Sequence, residues 1–178
     1  DIVEGDPTSG GDWMKGVGSY DAVVNLAGEN VFAGRWNAEF KDKIRDSRVQ
    51  GTKNIVGAIA RAENKPSVLV NASAIGYYGP HGDEVLTEDS APGNDFLAGA
   101  CVEWEDAARA VEATGVRLVI ARIGVVMSTA EGALAKMLTP FKLGVGGPVG
   151  NGRQWMAWVH LDDVVGIILH AIDHSNVS

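Results

Sequence analysis

Disulfide bonds and membrane-spanning segments have no basis in this 178-residue sequence. Its single cysteine, Cys101, cannot form an internal disulfide, and no apolar run reaches the roughly 18 residues that a transmembrane helix needs. The start of the chain lacks the charged and then apolar stretch of a signal peptide. These absences favour a reducing compartment such as the bacterial cytoplasm, and they predict no membrane partner.

Positive charge is also scarce. The chain has 15 Lys and Arg against 23 Asp and Glu, which gives a formal net charge of −8 and a pI of about 4.9. A nucleic-acid surface needs a basic patch to displace counterions, so we exclude nucleic acid as a partner. A small anionic ligand stays compatible, because backbone N–H groups bind phosphate without net positive charge.

Four segments have strand character. Apolar runs at 22–27, 67–72 and 117–121 are rich in β-branched residues and do not alternate with polar ones, which is typical of parallel strands buried on both faces. The third run can continue to Met127, and a further strand is predicted at 155–159. Residues 1–6 have the pattern of a strand end followed by a turn.

Helical patterns lie between these runs. They cover 37–62, 95–113 and 134–141, and a last helix is predicted over 164–171. Asn37 is a suitable N-cap, Pro140 should end or kink the third helix, and Asp162 and Asp163 lie near the positive end of the last one. The alternation predicts an α/β fold with a doubly wound parallel sheet.

Two long loops, around 78–94 and 143–155, are rich in glycine or proline. Ligands of such folds bind outside the carboxyl ends of the strands, so we expect both loops on the substrate side. The second loop is glycine-rich, but it does not join a strand to a helix as the dinucleotide-binding fingerprint does.

Short motifs occur in order along the chain. They are Gly5-Asp6, Asn25-Leu26-Ala27-Gly28, Val49-Gln50-Gly51-Thr52-Lys53-Asn54, Ala72-Ser73-Ala74 with Tyr78-Gly79, Arg122-Ile123-Gly124-Val125-Val126, and the segment 153–163. This series resembles the extended short-chain dehydrogenase/reductases of the NAD(P)-dependent epimerase/dehydratase superfamily, which have a Rossmann-type fold. Longer strings, such as Ala74-Ile75-Gly76-Tyr77-Tyr78-Gly79, resemble an atypical branch labelled nucleoside-diphosphate-sugar epimerase or cell-division-inhibitor homologue.

The resemblance implies a dinucleotide cofactor, NADP or NAD, of which we favour NADP. The residues it assigns to the cofactor are Asp6, Asn25, Leu26, Ala27, Gly28, Ala72, Arg122, Ile123, Gly124 and Val125. Simpler interpretations stay open: Asp6 can cap a turn, Gly28 can serve only the turn, and Arg122 can pair with Glu105 or Asp163 instead of a phosphate.

The resemblance also implies catalytic and substrate-binding residues. Ser73 would polarise a substrate oxygen, Tyr77 or Tyr78 would act as the general acid, and Arg153 would meet an anionic substrate group. The alternatives are a serine that bonds its own backbone, tyrosines that only pack, and a solvated arginine.

Two departures from the family pattern matter. The G-x-x-G-x-x-G loop that cradles the pyrophosphate at the first strand-to-helix junction is absent, so the chain is expected to lack the first βαβ unit and to form a partial domain over 1–178. An expression boundary would also explain the start without Met. The family's Tyr-x-x-x-Lys pair is missing too, because 95–101 holds neither residue.

Other residues have ordinary explanations. His160 beside Asp162 and Asp163 has no second histidine or cysteine at ligand spacing, so no metal site is predicted. Cys101 and Trp104 lie on an apolar helical face and are expected in the core.

Two functions therefore compete. The first is an NAD(P)-dependent oxidoreductase or epimerase-like enzyme acting on a small hydroxyl or carbonyl compound or a nucleotide sugar. The second is a non-catalytic NAD(P)-binding regulator, connected with cell division through the branch's other label. The helices at 37–62 and 95–113 form the dimer interface in extended relatives, so a homodimer is one expectation, and packing on their own sheet alone is the other.

Overall fold

The strands form two parallel sheets. The computed structural model describes residues 2–130, 132–148 and 150–178. The larger sheet has the order β1-β2-β3, and the smaller one pairs β4 with β5. The strands are β1 (Ala22–Asn25), β2 (Val68–Ala74), β3 (Arg117–Ile123), β4 (Val125–Met127) and β5 (Trp158–His160).

Four α-helices accompany the sheets, and short 3₁₀ helices cover Asp12–Ser19, Ile75–Tyr78 and Ala110–Thr114. The α-helices are α1 (Ala38–Arg61), α2 (Phe96–Arg109), α3 (Gly132–Lys142) and α4 (Leu161–Asp173). The larger sheet has a hydrophobic cluster on each face: Leu69 and Leu118 pack with α1 and α2, whereas Val68, Val70 and Val119 pack with Ala171 of α4. A parallel sheet covered by helices on both faces is the predicted Rossmann-type α/β fold.

Local capping explains where the two long helices begin. The Asn37 side chain accepts a hydrogen bond from Phe40 N at 2.8 Å, as predicted, and Asp95 accepts one from Ala98 N at 2.9 Å. Helix α2 ends sooner than predicted, because the chain tightens into the 3₁₀ helix and then turns at Gly115 with φ +80°. Pro140 lies inside the last turn of α3, which ends at Lys142.

Three predicted strand boundaries were wrong. The third strand does not run through to Met127, since Gly124 separates β3 from β4 and a Cβ there would lie 2.9 Å from the Ala157 carbonyl oxygen. The last strand begins at Trp158 rather than at Trp155, which is exposed. Residues 2–6 form no strand; only the turn is present, and Asp6 accepts hydrogen bonds from the N–H and hydroxyl of Thr8, both at 2.8 Å.

A buried polar cluster joins the first two strands to α1 and α2. Asn25 Nδ2 donates to Asn71 Oδ1 at 2.7 Å and to Thr52 Oγ1 at 2.9 Å, and Trp104 Nε1 donates to the same hydroxyl at 2.9 Å. All four side chains are buried. Buried polar groups need hydrogen-bond partners. The Thr52 hydroxyl supplies one to Asn25 of β1 and one to Trp104 of α2.

Replacing Thr52 with valine is expected to lower the free energy of unfolding by about 1–3 kcal/mol, because two buried donors lose their acceptor while the shape of the side chain is kept. Urea denaturation followed by tryptophan fluorescence measures this loss. The same change at Thr139, exposed on α3, is the control and should stay within about 0.5 kcal/mol. Equal effects at both positions would contradict the role of the cluster.

Candidate active site

The carboxyl ends of the three strands of the larger sheet meet at one edge. Ser73, next to last in β2, lies in register with Arg122 of β3. The 3₁₀ helix that follows β2 brings Tyr77 and Tyr78 to the same edge. Glu105 reaches it from α2, and these five residues are the candidate active site.

Glu105 and Arg122 form a bidentate ion pair. Arg122 Nε lies 2.9 Å from Glu105 Oε1, and Arg122 Nη2 lies 2.9 Å from Glu105 Oε2. The Glu105 side chain is only 2% exposed and that of Arg122 15%. Burial alone raises the pKa of Glu105, but hydrogen bonds from Arg122 and Ser73 outweigh it and hold this pKa below its ordinary value. The pair is therefore a charged one at neutral pH.

Arg122 also organises the two tyrosines and the loop that follows. Its Nη1 donates to the Tyr78 hydroxyl oxygen at 2.9 Å and to the Glu88 carbonyl oxygen at 2.8 Å. Its guanidinium lies over the Tyr77 ring, 3.6 Å from the centroid. Of the two carboxylates considered as partners of Arg122, the structure shows Glu105. Binding of a cofactor by Arg122 stays a prediction.

Ser73 is buried and donates its hydroxyl proton to Glu105 Oε1 at 2.6 Å. This bond goes to α2 and not to the serine's own backbone, and it leaves only the oxygen lone pairs, beside which the Cys101 thiol also lies at hydrogen-bonding distance. The Tyr78 ring, together with Glu105 and Arg122, lines an open cleft of about 650 Å³. The structure thus brings Ser73, Tyr77, Tyr78 and Arg122 into one cluster, whose fifth member, Glu105, sequence reasoning named only as a partner for Arg122.

The turn after β1 borders a separate cleft of about 300 Å³. Asn25, Leu26 and Ala27 line it together with Gly5 and Pro7. The Asn25 side chain shapes this turn by accepting a hydrogen bond from Ala27 N at 3.2 Å. Asp6 precedes Pro7 and is exposed, and its hydrogen bonds with Thr8 lower its pKa. The predicted cofactor residues of the first 28 positions are therefore close together.

The other predicted cofactor residues lie on β2, on β3 and at the start of β4. Ile123 and Gly124 line an apolar cleft of about 170 Å³ between the sheets and α4. Val125, which starts β4, donates its N–H to the Ala157 carbonyl oxygen at 2.9 Å. Ala72 is buried within β2 and pairs with Ala121.

Arg153 is exposed, and its N–H donates to Asn151 Oδ1 at 3.0 Å within the glycine-rich loop. The structure does not place Arg153 in the candidate active site. The two long loops do meet, since Trp155 Nε1 donates to Asp83 Oδ1 at 2.8 Å. This contact between positions far apart in sequence had no local signal.

The structure also bears on metal binding, on membrane-spanning helices and on the core of α2. Among the described residues, no group of three or more His, Cys, Asp or Glu is placed to hold a metal ion, and His160 instead caps α4 by accepting from Asp162 N at 3.2 Å. In the same part of the chain, no helix combines the length and the apolar character needed to cross a membrane. Cys101 and Trp104 are buried, as predicted, and burial raises the pKa of the Cys101 thiol.

The family model described as the NAD dependent epimerase/dehydratase family matches residues 1–178. The chain belongs to this family. It is 45% identical over 158 residues to the epimerase family protein Mb2239 of Mycobacterium bovis, covering 89% of this chain and 52% of that protein. It is 39% identical over 165 residues to the human epimerase family protein SDR39U1, covering 91% of this chain and 56% of that protein.

Solved structures agree with this assignment. Human SDR39U1 (isoform 2), crystallised with NADPH, has 38% identity and a TM-score of 0.82 over 88% of this chain and 54% of that chain. UDP-glucuronic acid 4-epimerase from Bacillus cereus, with 17% identity and a TM-score of 0.79 over 93% of this chain and 54% of that one, shows the fold alone. The chain spans about half the length of the curated relatives that it matches. It is thus a member of the NAD dependent epimerase/dehydratase family with a Rossmann-type fold.

Proposed function

We propose that the protein is an NADP(H)-dependent oxidoreductase or epimerase-like enzyme acting on a small hydroxyl or carbonyl compound or a nucleotide sugar. The observation that carries the proposal is the continuous hydrogen-bonded chain Ser73–Glu105–Arg122–Tyr78 at the carboxyl edge of the sheet. Ligands of open α/β sheets bind at this edge.

In this chain the cation that contacts the tyrosine is Arg122, and not the lysine of a Tyr-x-x-x-Lys pair. Its Nη1 donates to the Tyr78 hydroxyl oxygen, which holds the phenol at the open cleft and leaves its O–H to donate to a substrate oxygen. Tyr78 is then the group that exchanges a proton with the substrate oxygen. Ser73 orients a substrate hydroxyl by accepting its hydrogen bond, since its own proton is held by Glu105. When bound, the nicotinamide would accept the hydride from the substrate or donate it to the substrate.

The residues present fit a dinucleotide. The cleft bordered by Gly5, Pro7, Leu26 and Ala27 has small and apolar walls suited to an adenosine, and the apolar cleft beside Gly124 suits a flat nicotinamide ring. The NADPH found with human SDR39U1 supports NADP over NAD as the ligand.

A non-catalytic NAD(P)-binding regulator is the second candidate. It is favoured by the engagement of the Ser73 proton and of Arg122 within the protein, and by the lack of Tyr and Lys over 95–101. Turnover separates the two: NADPH consumption with an aldehyde or ketone, or conversion of a nucleotide sugar into its epimer without net cofactor consumption, favours the enzyme.

The first test is cofactor binding by the full-length protein. Separate titrations with NADPH and NADH, followed by nicotinamide fluorescence, should give micromolar binding of NADPH and at least about tenfold weaker binding of NADH, as expected when a 2′-phosphate gains a charge-assisted contact. Tighter binding of NADH would overturn the NADP assignment. Binding of neither would overturn both candidate functions.

A further inference from the structure

Arg48 connects helix α1 to the turn after β1. Its Nη1 donates to the carbonyl oxygens of Glu29 and Ile44, both at 3.0 Å. Glu29 follows Gly28 in the turn that borders the carboxyl edge of the sheet. The guanidinium is therefore held in place by backbone groups at the edge where the proposed function locates the ligand.

The charge of Arg48 is not paired at contact distance with a carboxylate of the described residues. None of these residues places a carboxylate oxygen within 4.0 Å of the guanidinium, whereas Arg45 pairs with Asp42 and Asp46, and Arg122 pairs with Glu105. The Glu29 carboxylate binds Lys43 at 2.7 Å and attracts Arg48 only through charge at longer range. Burial lowers the pKa of Arg48, which reflects the cost of keeping this cation partly out of water.

The surroundings of Arg48 shape it as a binding surface. The guanidinium carbon lies 5.2 Å from the ring centroid of Trp104, which supports it from α2. A Cβ at Gly28 would lie 3.0 Å from that carbon, so the turn lies directly against the guanidinium. The neighbouring Cys101 thiol is buried, its pKa is raised by that burial, and it stays neutral beside the cation.

We propose that Arg48 binds an oxyanion, a carboxylate or phosphate group, of the ligand that lies beside Gly28. Arginine presents a planar fork that matches these groups, and a partly buried cation without a carboxylate gains most from such a partner. The inference rests on the proposed function for the place of the ligand and deepens it, because it assigns the ligand a negative group at this point. The oxyanion belongs either to the cofactor or to the substrate.

The experiment compares the full-length protein with R48Q and R45Q. Arg45 lies on the same helix, is paired with Asp42 and Asp46, and controls for the loss of one positive charge. Inorganic phosphate, malonate and NADPH are titrated by calorimetry at constant ionic strength, because salt screens charge. R48Q is expected to weaken phosphate or malonate binding about tenfold or more, and R45Q less than about twofold.

The NADPH titration identifies the source of the oxyanion. A matching loss of NADPH affinity in R48Q assigns the site to a cofactor phosphate, and unchanged NADPH affinity assigns it to the substrate. Wild-type affinity of R48Q for all three probes overturns the inference while leaving the proposed function intact. Absence of NADPH binding, with phosphate or malonate binding still dependent on Arg48, overturns the proposed function and leaves the anion site.

A second measurement does not depend on how R48Q folds. In wild-type protein, phosphate or malonate should shift the side-chain Nε–Hε NMR resonance of Arg48, identified by its absence from spectra of R48K. A resonance that stays unchanged up to saturating probe overturns the inference.

Discussion

Replacing Arg122 with methionine is expected to lower the free energy of unfolding by about 3 kcal/mol or more at neutral pH. Among the described residues, the substitution leaves the Glu105 carboxylate, 2% exposed, with Ser73 and the half-exposed Arg109 as partners. It also removes the stacking on Tyr77 and the bond to the Glu88 carbonyl oxygen. Urea denaturation followed by far-ultraviolet circular dichroism measures the loss.

The destabilisation should depend on pH with a defined sign. In the wild type the pKa of Glu105 is held below its ordinary value of 4.5, so the pair contributes stability above that pH and loses it as pH falls through the lowered pKa. In R122M the hydrogen bonds and the charge of Arg122 are lost, and only the Ser73 hydrogen bond and the exposed Arg109 still oppose burial. We therefore expect the pKa of Glu105 to rise and the folded variant to take up a proton. Stability of the variant is then retained below pH 4.5 and lost as pH rises through the raised pKa. The gap between the two proteins should therefore shrink between about pH 7 and about pH 4.

Arg109→Met is the matched control. Arg109 also contacts Glu105, with Nη2 at 3.4 Å from Oε2, but its side chain is 52% exposed. An exposed partner contributes little, so the loss should stay below about 1 kcal/mol. An equal loss in both variants, or a gap for R122M that does not change with pH, would contradict a buried ion pair that stabilises the edge of the sheet.

The parts of the fold that follow from the sequence are those with local causes. Val68, Val70 and Leu69 lie in an uninterrupted apolar run, and such a run indicates a strand covered on both faces. Asn37 predicts the start of α1, because its side chain accepts a hydrogen bond from the backbone N–H three residues later. The carboxyl-edge location of Ser73 and the two tyrosines follows in turn from the parallel direction of the strands.

The parts that could not be predicted depend on distant partners. Whether Arg122 pairs with Glu105 or with Asp163 is decided by how α2 packs on the sheet, and no local pattern reports that. Trp155 and Met156 have the apolar character of strand residues, yet pairing with β4 begins only at Trp158. Side-chain periodicity marks the core, but it does not tell which polar residue of an apolar helix face, here Glu105, meets a charge.

Tyr78 is expected to be the tyrosine that matters for turnover. With a carbonyl substrate found in the panel, Y78F should lower kcat/KM by about 10²–10⁴-fold, because the proton-transfer group is lost. Most of that loss should fall on kcat and not on KM, since the phenol acts on the reacting oxygen and not on ground-state binding. The rate of NADPH consumption measures both constants.

Tyr77 supplies the control, because phenylalanine keeps the ring on which the Arg122 guanidinium lies at 3.6 Å and removes only the hydroxyl. Y77F should stay within about tenfold of the wild type, and NADPH affinity should be unchanged in both variants. Y78F also loses the hydrogen bond from Arg122, so its thermal unfolding must be recorded beside its rate. If Y78F is folded, binds NADPH and turns over at the wild-type rate, then Arg122 holds Tyr78 for the architecture of the edge, and another group moves the proton.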